Sequence, residues 1–365
     1  MNLDVPALES LLAQLVSIPS LSGDEAAIAE YCSQWLEAHG LQVQRLDQTL
    51  LVRVPGASGP KLLLNTHYDT VPAGEGWDID PWAARWEQDR LTGLGANDAK
   101  ASVASMMMTM AGLVGGPALD GEVLLSLHQE EETNNRGMEL VRAELGDVRM
   151  AVTGEPTGLQ VIRSQSGLAV FEVTWIGKTC HAAHVSRVDN KNALLAAARE
   201  LALWPTPYVL EGEHELLGPS TLSPTVMTSG SRHNAIPDSA VVVFDARLAP
   251  PHDADECVAI LERALPTAKI HVRSRRLGPV DTAADHPLVL AALKASGQQV
   301  ALGSNTLSDM ALIPGTPAVK CGPGETKRSH TSGEYITRAE LSAGAHFYTQ
   351  MVQELLQPVP DPSQS

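Results

Sequence analysis

The residues best equipped for chemistry sit just beyond short apolar runs. Leu62 to Leu64 is followed by His67 and Asp69, and Val123 to Leu127 by Glu130, Glu131 and Glu132. Met150 to Thr153 is followed by Glu155, and Ala318 to Cys321 by His330. An imidazole offers a metal a neutral nitrogen, and a carboxylate two residues on can fix its ring and tautomer. His, Asp and Glu without Cys suit zinc, cobalt or manganese. Two histidines and several carboxylates exceed what one tetrahedral ion requires, so a pair of ions bridged by a carboxylate is expected. Asp98, in Gly95-Ala-Asn-Asp98 before a helix, is the best bridge.

The runs that deliver these residues read as short buried strands. Helical spacing occupies 4–17, 24–38, 99–114, 138–145 and 287–295, and Ser22-Gly-Asp-Glu25 reads as a cap with acidic first-turn residues. Residues 41–46 and 50–54 alternate as strands, whereas 74–98, rich in Gly, Trp and Asp, reads as loop. The Met-rich face of 99–114 is read as core packing. Strands alternating with helices imply a mostly parallel sheet flanked by helices, an α/β fold. Ligands of such sheets bind beyond the carboxyl ends of the strands, where all four runs deliver their His or Glu.

Between residues 166 and 280 the order changes to strand, helix, two strands, helix, strand, an α+β sandwich of βαββαβ type without a candidate metal cluster. The expected organisation is a catalytic domain in two parts, 1–165 and 281–365, around an inserted domain at 166–280. Gly167 and Gly278 mark the junctions. Residues 358–365 are polar and Pro-rich and are expected to fray.

A net charge of −17 argues against nucleic acid as partner, since phosphate contact needs a basic face. No apolar run approaches a membrane span, and the start lacks the basic-then-apolar pattern of a secretory leader. Cys32, Cys180, Cys257 and Cys321 are scattered and read as reduced thiols, which makes the cytoplasm the expected compartment.

His67-Tyr-Asp69-Thr-Val-Pro, Gly95-Ala-Asn-Asp98, Glu131-Glu132-Thr, Gly154-Glu155-Pro-Thr and Gly322-Pro-Gly with His330 stand in a characteristic order. In that order the chain resembles the co-catalytic metallo-aminoacylase and carboxypeptidase family, of acetylornithine deacetylase and succinyl-diaminopimelate desuccinylase type. The resemblance implies two divalent ions, zinc or cobalt. His67, Asp98 and Glu155 would hold one, and Asp98, Glu132 and His330 the other. Asp69 would orient His67, and Glu131 would act as general base. The family pattern is Asp-Glu-Glu; alignment on Thr133 and Arg136-Gly137 puts Glu130 in the place of the Asp. Leu94 stands where the family usually has Arg.

The resemblance further implies that His181 of the insert donates to the oxyanion, from the partner subunit in a homodimer. Asn234 and Arg247 would hold the substrate carboxylate, and Ser308 matches a substrate-side loop. For Arg247 a structural pairing with Asp245 is an equal alternative, and His128 and His184 read as structural. The implied reaction is deacylation of an N-acetyl-L-amino acid of arginine metabolism, with N-acetyl-L-citrulline expected and N-acetyl-L-ornithine as alternative. Dipeptidase or carboxypeptidase activity is a further alternative, and a non-catalytic binding protein on the same fold a remote one.

Overall fold

Burial of residues 62–67 on both faces of a sheet explains why that run shows no polar alternation. A computed structural model describes residues 3–357, so the segment expected to fray lies outside the described residues. Asp4 caps α1 (Val5–Ser17) by accepting the Ala7 N–H. Next come α2 (Ala26–Ala38), β1 (Val43–Leu46), β2 (Thr49–Val54) and β3 (Lys61–His67). The expected loop at 74–98 instead contains a hairpin, β4 (Arg85–Glu87) and β5 (Arg90–Thr92). Strands of three residues are too short to carry an alternating pattern. Next are α3 (Lys100–Leu113), β6 (Glu122–His128), α4 (Arg136–Arg142), β7 (Val148–Thr153) and β8 (Ile162–Gln165).

Ser22 to Glu25 does not cap α2 through a side chain. The Ser22 hydroxyl donates to Asp69 Oδ2 at 2.7 Å, and Glu25 accepts the N–H of Glu130 at 2.9 Å. The polar residues expected at a helix end therefore support the strand ends instead.

A second group of elements follows: β9 (Gly167–Ile176), α5 (Ala193–Leu201), β10 (Tyr208–Val209), β11 (Thr221–Ser229), β12 (Ser239–Leu248), α6 (Ala254–Ala264) and β13 (Ala268–Leu277). They form an antiparallel sheet ordered β10-β11-β12-β9-β13, with alternating burial along β9 and β12. Its own core gathers Phe171, Trp175, Phe244 and Leu261. The chain closes with β14 (Val280–Asp281), α7 (Pro287–Ser296), β15 (Leu302–Ser304), β16 (Ala318–Lys320), β17 (Tyr335–Thr337) and α8 (Arg338–Leu355). Two compact units result. The first runs to Arg163 and includes Asp281–Leu302 and the chain from Ser308 onward; the second comprises Ser164–Val280 and Gly303–Leu307.

In the first unit the order is β1-β2-β6-β3-β7-β16. β6, β3, β7 and β16 are mutually parallel, with antiparallel β2 beside β6. The chain passes from β3 through α3 to β6 on one side, then through α4 to β7 on the other. β3 thus sits at a reversal of strand order, where open α/β sheets form their ligand crevice. α3 is buried nearly all round, which accounts for its methionines, and packs against α1 and α8. α8 begins with a full capping box between Thr337 and Glu340.

Candidate metal centre

Parallel pairing of β3 and β6 puts His67 level with His128, so both strands end at the same height. His67 is 1 % exposed. Its Nδ1 faces the Asp69 carbonyl at 3.1 Å and carboxylate at 3.4 Å, leaving Nε2 to point elsewhere. Nε2 lies 3.3 Å from Asp98 Oδ1 and 4.0 Å from Glu155 Oε1. On the other side His330 Nε2 lies 2.8 Å from Glu132 Oε1 and 3.7 Å from Asp98 Oδ2. Each Asp98 oxygen therefore faces a different histidine.

The Glu loop is tied to β3 through Asp69, which accepts the N–H groups of Glu131 at 3.0 Å and Glu132 at 3.1 Å. Glu130 turns its carboxylate away, to Gln129, Asn134 and Arg136. Asp98 is fixed by a residue that sequence reasoning missed. Glu334, 1 % exposed, accepts the N–H groups of Gly95, Asn97 and Asp98. Asn97 adds bonds to the backbone of Glu325 on the loop that leads to His330. The only sequence signal for Glu334 was its place four residues after His330.

Two glycines of the motifs owe their identity to close approach. A Cβ on Gly154 would meet Met106 Cε at 2.7 Å and Tyr348 Oη at 2.9 Å; one on Gly322 would meet Tyr348 Oη at 2.7 Å. Tyr348 itself donates toward Ser102 Oγ and the Cys321 carbonyl, joining α8, α3 and β16 beneath the site.

Gathering so many like charges shifts their titration. Burial pushes Glu131 well above the usual carboxylate range; His67 opposes this, while Glu155, Asp309 and Glu132 add to it. Burial raises Glu155 to about 8, against the pull of His67 and Lys320. Burial works against a charged His67, but Asp69 and Asp98 beside it hold its pKa well above the ordinary value. Burial would raise Asp98, and the neighbouring His67 more than reverses it. The hydrogen bond to Glu132 raises His330 to about 9.

These residues are of the type and spacing that could hold metal. Ligand atoms of His67, Asp98 and Glu132 all lie within 4.8 Å of one another. Two ligands of a tetrahedral ion with bonds near 2.1 Å stand about 3.4 Å apart. The separations of 3.3, 3.7 and 4.0 Å bracket that value, while the 2.8 Å His330–Glu132 contact is a direct hydrogen bond. Asp98 Oδ1 is buried and accepts no aligned hydrogen bond among the described residues. Its nearest partner is His67 Nε2 at 3.3 Å, and a buried carboxylate oxygen with no aligned donor suits a cation.

The other expected site residues belong mostly to the second unit. His181 Nδ1 accepts the Ala183 N–H at 3.1 Å, which leaves Nε2 as the donor nitrogen. Asn234 lies alongside, its carbonyl accepting the Ala182 N–H. Arg247 donates two bonds to Asp245, at 2.8 and 3.2 Å, so the structural pairing weighed for it is present. Ser308, in the first unit, is buried. The four cysteines are free, and no helix among the described residues is long and apolar enough to cross a membrane.

Comparison with known proteins places this geometry in a class. Residues 63–354 match the sequence pattern of Peptidase family M20/M25/M40, and the chain belongs to that family of amide-bond hydrolases. It is 28 % identical to an acetylornithine deacetylase of Myxococcus xanthus, covering 92 % of this chain and 94 % of that protein. It is 26 % identical to an N-acetyl-L-citrulline deacetylase of Xanthomonas campestris pv. campestris, covering 88 % and 90 %. In fold it is similar to the Bacillus subtilis YXEP protein, described as a dinuclear metal binding peptidase. There the TM-score is 0.74 at 18 % identity, covering 97 % of this chain and 99 % of that one. The expected α/β fold with a separate smaller sheet is thereby borne out.

Proposed function

We propose that this chain is a two-metal deacetylase that converts an N-acetyl-L-amino acid of arginine metabolism, N-acetyl-L-citrulline first, into the free amino acid and acetate. The observation that carries the reading is the two-sided Asp98, one oxygen facing His67 and the other His330. In this reading His67, Asp98 and Glu155 hold one ion, and Asp98, Glu132 and His330 the other. Two divalent ions, zinc or cobalt, supply an acidified water and a polarised scissile carbonyl when bound. Glu131 takes the water's proton and delivers it to the departing amine. Asp69 orients His67 and, through two N–H groups, the Glu131–Glu132 loop.

His181 is assigned the oxyanion, which its donor Nε2 suits. Asn234 and Arg247 are assigned the substrate carboxylate, Arg247 by exchanging one carboxylate partner for another, and Ser308 the substrate side of the first unit. A homodimer is supported by β11. Beyond Leu222 that strand pairs, among the described residues, with β12 alone, and it exposes Val226 and Met227. An exposed apolar strand edge is a ready surface for a second copy. His181 then serves the partner's site. The free thiols favour the cytoplasm.

N-acetyl-L-ornithine is the alternative substrate. It ends in an ammonium, where citrulline carries a neutral ureido group, so the two need different distal walls. A hydrolysis panel of acetylated citrulline, ornithine, glutamate and methionine, run with cobalt and with zinc beside a free dipeptide, tests the reading. Highest kcat/KM on acetylcitrulline is expected. A preference for the dipeptide would make the chain a peptidase.

A further inference from the structure

Beneath the Glu loop lies a chain of hydrogen bonds that the proposed chemistry does not use. The Ser126 hydroxyl lies 2.6 Å from His128 Nε2, and His128 Nδ1 lies 2.5 Å from Asp309 Oδ2, both within hydrogen-bond distance. The other Asp309 oxygen accepts from Asn135 Nδ2 at 3.2 Å, and the same amide donates to the Glu131 carbonyl at 3.2 Å. The Ser–His–Asp connectivity is that of an acyl-transfer triad, but Ser126 is fully buried in β6, hydrogen-bonded between β2 and β3. No substrate reaches its hydroxyl, so it is no nucleophile.

The far end of the chain gives it a use. Residues 130–135 form neither helix nor strand, and two of their three consecutive carboxylates, those of Glu131 and Glu132, lie close to Glu155. Mutual repulsion would splay such a loop unless its backbone were anchored. Asp69 holds the Glu131 N–H, and Asn135 holds the Glu131 carbonyl. Asn135 is in turn fixed by a carboxylate that is locked by a buried imidazole. A fully satisfied buried network of this kind rigidifies what it touches.

We propose that His128, Asp309 and Asn135 are positioning residues that fix the Glu131 peptide and so aim its carboxylate. The inference rests on the reading of Glu131 as the base. Asp309→Asn and Asn135→Ala should each lower kcat about 10–100-fold, as loss of orientation by a fraction of an ångström to one ångström does. The change should leave KM and metal content as in the wild type. Ser126→Ala, at the far end, should act in the same direction but less. The double variant Asn135→Ala/Asp309→Asn should be no slower than the slower single one, because both cut one chain. Amide exchange at 130–136 should speed up in both single variants while β3 and β7 keep their protection.

Wild-type kcat in a folded Asn135→Ala protein, unchanged exchange in the loop, or a rate loss that merely follows metal loss would each overturn the inference. The base reading fails separately, if Glu131→Ala keeps its turnover. Should neither acetylcitrulline nor acetylornithine be turned over, the functional reading fails and the exchange measurement alone decides whether the chain holds the loop.

Discussion

The backbone N–H of Asp98 donates to Glu334 Oε1 at 2.8 Å. Together with Gly95 and Asn97, this makes one buried carboxylate the receiver of three N–H groups from the loop that presents Asp98. Glu334→Ala should therefore weaken divalent-metal affinity about 10–100-fold while the protein stays folded, the usual cost of removing a group that orients a ligand. Competition with a chromophoric chelator reads the affinity directly. Wild-type affinity would mean that the loop holds its shape without Glu334.

Glu131 and Glu132 are adjacent in the chain, and the second accepts a 2.8 Å contact from His330. Glu131→Ala should lower kcat by about 10²–10⁴-fold, the contribution of a general base. Metal content, measured by plasma mass spectrometry, should stay at the wild-type value. Loss of an ion in that variant would shift the base and ligand by one position along Glu130-Glu131-Glu132.

His181 and Glu131 belong to different compact units. Glu131→Ala and His181→Ala proteins, each inactive alone, should regain activity when their subunits are exchanged, because one of the mixed sites then has both groups. Absence of recovery despite exchange verified by mass would assign His181 to its own chain's site.

A Cβ on Gly322 would meet the Glu155 backbone carbonyl at 2.6 Å and both Tyr348 Oη and Ser102 Oγ at 2.7 Å. Gly322→Ala should cost about 1–3 kcal/mol through overpacking. Urea unfolding measures it, and an unchanged midpoint would show that the Glu155, Ser102 and Tyr348 contacts can all give way.

Much of this arrangement was legible in the chain. The runs beginning at Leu62, Val123 and Met150 are apolar because parallel strands buried on both faces must be, and the residues beyond them had to reach one rim. The partners of those residues were harder to find. Ser22 meets Asp69 across 47 positions, and Glu334 meets Gly95 across 239, contacts that only the sheet order creates. His128 read as structural because nothing in the sequence links it to Asp309. The capping box of α8, Thr337-x-x-Glu340, was in plain view and could have announced that helix. β4 and β5 carried no usable pattern at three residues each.

The number and place of the ions test the two-metal centre most directly. Anomalous diffraction from crystals of the cobalt-loaded protein should show two peaks per chain. One is expected among His67, Asp98 and Glu155, the other among Asp98, Glu132 and His330. A single peak at saturating metal, or peaks away from Asp98, would contradict it.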